Sequence, residues 1–225
     1  MRNIATEGRG RKHEKNAPAM QMAQADCCRL LAACFYPPDK KVLVEERITT
    51  KLKALLKVTC PGAMHLAPPA QKYTRRDGNT ALSVAYTRLF LGPPSIMAPP
   101  YASFYLDKKG LVMGPSTIGI AELYRTAGLS MDKDFDEMPD HIAVMLEFLY
   151  YLLFQESLAE VEGNHEEKIK LVQTKSYFLN NYMCTWIPAF CGRIYEADVH
   201  LFYCSLAQCL EMFMQYTFKN DKTID

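Results

Sequence analysis

Residues 139–154, PDHIAVMLEFLYYLLF, decide the fold class of this 225-residue chain. Pro139 and Asp140 suit the first turn of a helix, where an acidic side chain meets the positive end of the helix dipole. Apolar residues then recur on nearly every side of the helix, which predicts that it is the most buried one. The apolar run from Ile142 to Phe154 is 13 residues long, whereas a membrane span needs about 20, so we expect no transmembrane helix.

Similar patterns place further helices on both sides of this segment. Prolines and glycines mark their ends, because proline removes a backbone donor and disfavours helix in the residue before it. No segment of useful length alternates with the period of a β-strand. The sequence therefore predicts an all-α bundle of about seven helices with one long proline-rich loop at 92–114. The helices are expected near residues 18–36, 39–58, 79–91, 115–128, from 139 onward, 165–183 and 197–218.

The domain organisation follows from composition. Residues 1–17 are polar and rich in Lys and Arg, which predicts a mobile basic tail. We expect residues 18–225 to form a single helical domain, because a chain of this length buries a sizeable core. The N-terminus has no apolar stretch behind its charges, so it does not resemble a secretory signal, and the expected location is the cytoplasm.

The charge balance excludes one class of partner. The chain has 26 Lys and Arg against 25 Asp and Glu, which gives no overall field for a nucleic acid. The acids are unevenly placed, since residues 132–167 contain eleven of them and one base, Lys133. Five of those acids fall between Asp132 and Asp140, and an acidic patch beside an apolar cleft suits a basic, apolar peptide. Glu147 lies between apolar neighbours and is expected to pair with Arg88 or Arg125.

Motifs for metal binding and catalysis are sparse. No two of the eight cysteines have the C-x-x-C spacing, so we expect reduced cysteines packed as small apolar residues and no metal site. A metal sensor built from Cys184, Cys191, Cys204 and Cys209 is one alternative. Another is a small hydrolase or nucleotide-dependent enzyme using Asp140 and His141. As neighbours on a helix, these two would point about 100° apart and would not form a dyad.

Three stretches resemble a known family. They are YTRLFLGP at 86–93, APPYASFYLD at 98–107 and PDHIAVMLEFL at 139–149. Together they resemble the signature of the TorD/DmsD family of cytoplasmic redox-enzyme maturation chaperones. The similarity covers about residues 22–218 and leaves the basic tail outside.

The resemblance implies a function and a partner. Such chaperones bind the twin-arginine signal peptide, and sometimes the body, of a molybdopterin oxidoreductase catalytic subunit. They hold it until the molybdenum cofactor is inserted and then release it for export. They are not enzymes and do not insert stably into membranes. Most are monomers, and domain-swapped dimers are known. No cofactor of the chaperone itself is implied.

Carried over to this sequence, the family pattern gives a peptide-binding set. Tyrosine suits such a site because it has an apolar body and a polar tip. Asp140 is expected to accept a bidentate contact from a peptide arginine. Plain core packing is the alternative for Tyr86 and Phe90, and a structural hydrogen bond is the alternative to pH-dependent binding for His141. Met138 stands where the family often has a second proline. The set is Arg29, Tyr36, Tyr86, Leu89, Phe90, Pro94, Pro100, Tyr101, Tyr105, Asp140 and His141.

Overall fold

The structure, a computed structural model, describes residues 7–69, 80–92, 95–107, 112–132 and 135–219, and only the backbone of residues 7–16. Within these ranges the secondary structure is helical, and the one β-type pairing is an isolated bridge between Tyr101 and His141. This confirms the all-α prediction.

Nine α-helices form the described part of the chain. They are α1 (Glu7–Phe35), α2 (Ile48–Thr59), α3 (Thr80–Tyr86), α4 (Ala102–Leu106), α5 (Pro115–Thr126), α6 (Ile142–Glu162), α7 (His165–Phe178), α8 (Ile187–Ala197) and α9 (Leu201–Phe218). Short π-helical turns cover Lys41–Glu45, Thr87–Leu91 and Leu179–Met183, and a 3₁₀ helix covers Pro61–Leu66.

Helix α6 forms the centre of the core, as the sequence predicts. It packs against α1 and α7, and the Phe148 ring lies 4.5 Å from that of Tyr124 on α5 and 5.0 Å from that of Phe178 on α7. By length and composition α6 passes for a membrane span, but 67% of the window concerned is buried within the fold. A core helix of a globular protein passes the same test, so this is weak evidence for a membrane.

Three helix predictions need correction. Helix α1 begins at Glu7 and carries Pro18 inside it, so Pro18 does not open the helix. Helix α8 is absent from the predicted helices, because Pro188 in the segment Trp186–Pro188 indicates a break in the chain by sequence alone. The structure places that proline in the first turn, where its missing N–H has no intrahelical partner to lose. The proline-rich loop is also interrupted, by α4. The proposed limit of the tail at residue 17 stays a prediction.

Candidate functional site

Two of the family-like segments meet through their backbones. Tyr101 and His141 form an antiparallel bridge, and it is flanked by hydrogen bonds from Ala102 N–H to the Asp140 carbonyl (2.9 Å) and from Ile142 N–H to the Pro100 carbonyl (2.8 Å). The proline-rich loop is therefore fixed to the start of α6.

Asp140 strengthens this junction from inside. Its side chain is fully buried, and Oδ2 accepts the Ser103 backbone N–H at 2.9 Å. Charge-assisted hydrogen bonds of this kind are stronger than neutral ones. Because no carboxylate oxygen of Asp140 reaches the surface, the arginine contact predicted for it has no accessible acceptor in this structure.

His141 is the cap of α6. Its Nδ1 accepts the Ala143 backbone N–H at 3.2 Å, and burial lowers its pKa to about 4. The imidazole is therefore neutral at pH 7, with its proton on Nε2. The Tyr36 ring stacks on it at 6.0 Å with an interplanar angle of 16°, and the Tyr101 ring meets it edge-on at 5.4 Å. His141 thus carries a structural hydrogen bond and also joins two aromatic side chains from different elements.

Two carboxylates border these rings. Glu137 Oε2 accepts the Tyr101 hydroxyl at 3.3 Å and lies 4.0 Å from His141 Nε2. Burial, followed by a smaller effect of Asp136, raises the pKa of Glu137 against the opposing hydrogen bond from Tyr101. Across the rings, the exposed Glu147 of α6 raises the pKa of the Tyr36 hydroxyl further than burial alone does.

We call this group the aromatic–acidic cluster. Its rings are partly or largely covered, but Phe135, packed edge-on against Tyr36 at 6.0 Å, is 39% exposed. In the described ranges, neither of its carboxylates forms an ion pair with a lysine or arginine. Among the residues that the structure describes, the acidic border of the cluster therefore has no lysine or arginine in ion-pair contact. Its members are Tyr36, Tyr101, Phe135, Glu137, His141 and Glu147.

The predicted peptide-binding residues divide into groups. Tyr36, Tyr101 and His141 belong to the cluster, and Asp140 lies directly beneath it. Tyr86 is buried, its ring packs 5.1 Å from that of Phe90, and burial together with the nearby charges of Glu137 and Tyr101 raises its pKa. The other predicted residues are not members of the cluster.

Five other predicted residues, Arg29 among them, lie outside the cluster, and one is outside the described ranges. Leu89, Phe90 and Pro100 are buried, which corresponds to the packing alternative for Phe90. Tyr105 stacks on Trp186 at 5.3 Å. Pro94 lies outside the described residues.

Arg29 is exposed on α1 and interacts with two other side chains. It pairs with Asp26 at 3.2 Å, and its guanidinium lies 5.8 Å from the Tyr150 ring centre. It precedes Tyr36 by seven residues, about 10 Å along the helix at a rise of 1.5 Å per residue. Arg29 therefore contacts Asp26 and Tyr150 and no member of the cluster in the described contacts.

The sequence did not single out Glu137 or Phe135. Glu137 was counted among the five acids of the segment before α6, and its position four residues before His141 is the signal that marks it. The pairing predicted for Glu147 is wrong. Its side chain is exposed, and Arg125 instead pairs with Glu122.

The alternative functions gain no support from the geometry. Asp140 and His141 are 0% and 1% exposed, so a substrate would not reach them in this conformation. All eight cysteines are free and six are buried. No group of three or more His, Cys, Asp or Glu side chains suited to a metal ion occurs in the described part of the chain. A cleft of about 580 Å³ lies beside α8 and α9, and it contains none of the predicted site residues.

Comparisons with known proteins agree on one family. The sequence profile of the nitrate reductase delta subunit family matches residues 46–192. Chaperone protein TorD of Photobacterium profundum is 34% identical over 142 residues, which is 63% of this chain and 64% of that protein. TorD of Vibrio atlanticus is 31% identical over 140 residues, which is 62% of this chain and 64% of that protein. This chain therefore matches less than two thirds of the length of these curated relatives.

A solved structure is also similar. It is a crystal structure named for a redox enzyme maturation protein from Archaeoglobus fulgidus. The TM-score is 0.55 at 28% identity, and the match covers 85% of this chain and 93% of that one. The fold and the sequence thus point to the same group of proteins.

Proposed function

This chain belongs to the nitrate reductase delta subunit family, which includes the TorD chaperones, and from this premise we propose that it is a cytoplasmic chaperone for a molybdopterin oxidoreductase subunit. It binds the twin-arginine signal peptide of that subunit at the aromatic–acidic cluster. It holds the subunit until the molybdenum cofactor is inserted and has no catalytic activity of its own. It works mostly as a monomer.

The observation that carries the proposal is the unpaired negative border of the cluster. Glu137 and Glu147 come from two different segments, and neither has a lysine or arginine partner in the described ranges. A peptide with two arginines supplies the missing cations, and charge-assisted hydrogen bonds to carboxylates are the strong ones. The rings of Tyr36, Tyr101 and Phe135 supply apolar area for the rest of the peptide.

The fold supports this use in a second way. The peptide surface rests on the bridge between Tyr101 and His141 and on the bond from Ser103 to Asp140. A surface that is fixed before binding loses little conformational entropy when the peptide arrives. The site is therefore suited to a partner that arrives disordered.

Binding of a labelled peptide tests the proposal. The peptide carries two consecutive arginines followed by an apolar segment, and its fluorescence anisotropy is titrated with the protein. We expect a Kd in the micromolar range or tighter, about −8 kcal/mol. Rising salt should weaken binding because part of the attraction is between charges at the surface. A matched peptide with both arginines replaced by glutamine is the control, and equal affinity for the two peptides would refute a charge-reading site.

A further inference from the structure

Within the proposed function, on which this inference rests, we propose that Glu137 accepts the guanidinium of one signal-peptide arginine and that Asp140 is its positioning residue. The two acids lie three residues apart, but the structure gives them different surroundings.

Asp140 is built into the frame of the site. It is fully buried, its Oδ2 accepts the Ser103 N–H, and its own carbonyl accepts the Ala102 N–H. Its other carboxylate oxygen, Oδ1, is buried and lacks a hydrogen-bond partner. For a guanidinium to reach it, the junction between the proline-rich loop and α6 would have to open. Asp140 therefore holds Tyr101 in position beside the start of α6.

Glu137 has the access that Asp140 lacks. Its side chain is 21% exposed, so the carboxylate is held in place and still reaches solvent. The Tyr101 hydroxyl donates to Oε2, which leaves Oε1 for an incoming donor. An arginine needs a planar acceptor with two oxygens in a fixed orientation for a bidentate contact. The Tyr101 hydroxyl and the nearby His141 edge supply that orientation.

The neighbouring groups favour a cation at this point. Glu137 faces Tyr101 from the loop and His141 from the start of α6, and Asp136 precedes it in the chain. Tyr36, which directly follows α1, and Tyr86 on α3 both have a hydroxyl pKa raised by burial and, to a smaller extent, by Glu137. None of these groups is cationic at pH 7, since His141 is neutral there. The ring faces of Tyr36 and Tyr101 also suit a guanidinium.

The pH dependence of peptide binding distinguishes an arginine-binding role of Glu137 from a purely structural role. Burial raises the pKa of the Glu137 carboxyl, and a bound guanidinium would lower it again. Peptide binding therefore releases a proton from the fraction of molecules in which Glu137 is protonated. Affinity should fall as the pH falls through the Glu137 pKa, and Glu137→Gln should remove this part of the pH dependence.

The test compares two variants and two peptides. Glu137→Gln is matched by Asp136→Asn, which removes the same charge from the adjacent, exposed position. The twin-arginine peptide is matched by one with both arginines replaced by citrulline, which keeps the shape and loses the charge. We expect Glu137→Gln to weaken binding of the arginine peptide by about tenfold and to shrink its advantage over the citrulline peptide. Asp136→Asn should change the affinity by less than about threefold.

Asp140→Asn should behave differently from Glu137→Gln. It loosens the loop, so the affinities for both peptides should fall by similar factors and the pH dependence should remain. If the wild-type protein binds neither peptide, the proposed function itself fails. If it prefers arginine and Glu137→Gln keeps that preference, the assignment of Glu137 alone is wrong. Equal losses in Asp136→Asn and Glu137→Gln would also overturn it, because net charge would then explain the effect.

Discussion

The buried histidine at the start of α6 gives a sharp prediction for stability against pH. His141→Asn keeps an N-cap acceptor for the Ala143 N–H, because asparagine is among the best N-cap residues. It removes a group whose pKa falls from 6.5 to about 4 when the chain folds. The variant should therefore be less sensitive to acid than the wild type.

The sign and size follow from proton linkage. Between pH 6.5 and pH 4 the unfolded chain binds a proton at His141 and the folded chain does not, so acid favours unfolding. The part of the unfolding free energy that comes from the neutral, buried His141 is present above pH 6.5 and is lost as the pH falls towards 4. Each unit of pKa shift is worth about 1.4 kcal/mol, which gives a full loss of about 3 kcal/mol and about 2 kcal/mol between pH 7 and pH 5. Glu137 and Glu147, whose pKa values are raised, act in the opposite direction in both proteins.

Urea unfolding at pH 7 and pH 5 measures the effect. Trp186 is the only tryptophan of the chain, is 1% exposed and stacks on Tyr105, so its fluorescence reports loss of the core. The wild type should lose about 2 kcal/mol more than His141→Asn between the two pH values. His165→Asn, which replaces an exposed histidine, is the control and should follow the wild type. Equal losses in wild type and His141→Asn would refute the neutral, buried state of His141.

Three other substitutions test contacts elsewhere in the fold. Lys175→Met should destabilise the protein by about 3–5 kcal/mol in urea unfolding. The reason is that Glu156, whose side chain is 9% exposed, loses its ion-pair partner at 2.8 Å. Adding Glu156→Leu should recover most of this stability, and no recovery would contradict an effect of the unpaired charge. Gly119→Ala should lose most of the stabilisation of about 1 kcal/mol that alanine normally gives within a helix, because its Cβ would meet the Tyr182 hydroxyl. Tyr182→Phe should relieve that loss in a double-mutant cycle, and an additive cycle would argue against the contact. Arg193→Ala removes a hydrogen bond to the Met97 carbonyl (3.2 Å) and a guanidinium that lies 5.1 Å from the Phe104 ring centre. It should lower the free energy of unfolding by about 1 kcal/mol. An unchanged urea midpoint would show that this exposed contact does not hold the loop.

The core helix was predictable because its signal is local and strong. The apolar run after Pro139 and Asp140 is α6 in the structure, but the helix begins at Ile142 with His141 as its N-cap, so the two residues predicted for its first turn precede it. The exposed side of α6 was harder to recognise. It passes through Glu147 and then the half-buried Tyr150, Tyr151 and Phe154 at helical spacing. Aromatic residues on that side hide the amphipathic pattern, so the sequence predicts a buried Glu147 that pairs with an arginine.

The site was predictable as a pair of segments but not as a set of contacts. The family resemblance named the loop and the start of α6, and the structure brings Tyr101 and His141 into one bridge. Sequence alone could not show which acid near α6 turns inwards. The sequence pattern predicts an exposed first-turn carboxylate at Asp140, whereas in the structure this residue precedes the N-cap His141 and its buried side chain accepts the Ser103 N–H of α4.

The different surroundings of Glu137 and Asp140 would suit the proposed function, in which the bound peptide must later be released. A carboxylate buried with its arginine would lose much hydration, and removing one partner would leave an unpaired buried charge. Exchange at such a site is slow. Glu137 reaches solvent while Tyr101 holds it, so a guanidinium bound there keeps contact with water and can leave readily. Affinity differences between related complexes lie mainly in the dissociation rate. We therefore expect that a change which buries Glu137 more deeply would tighten peptide binding by slowing its release.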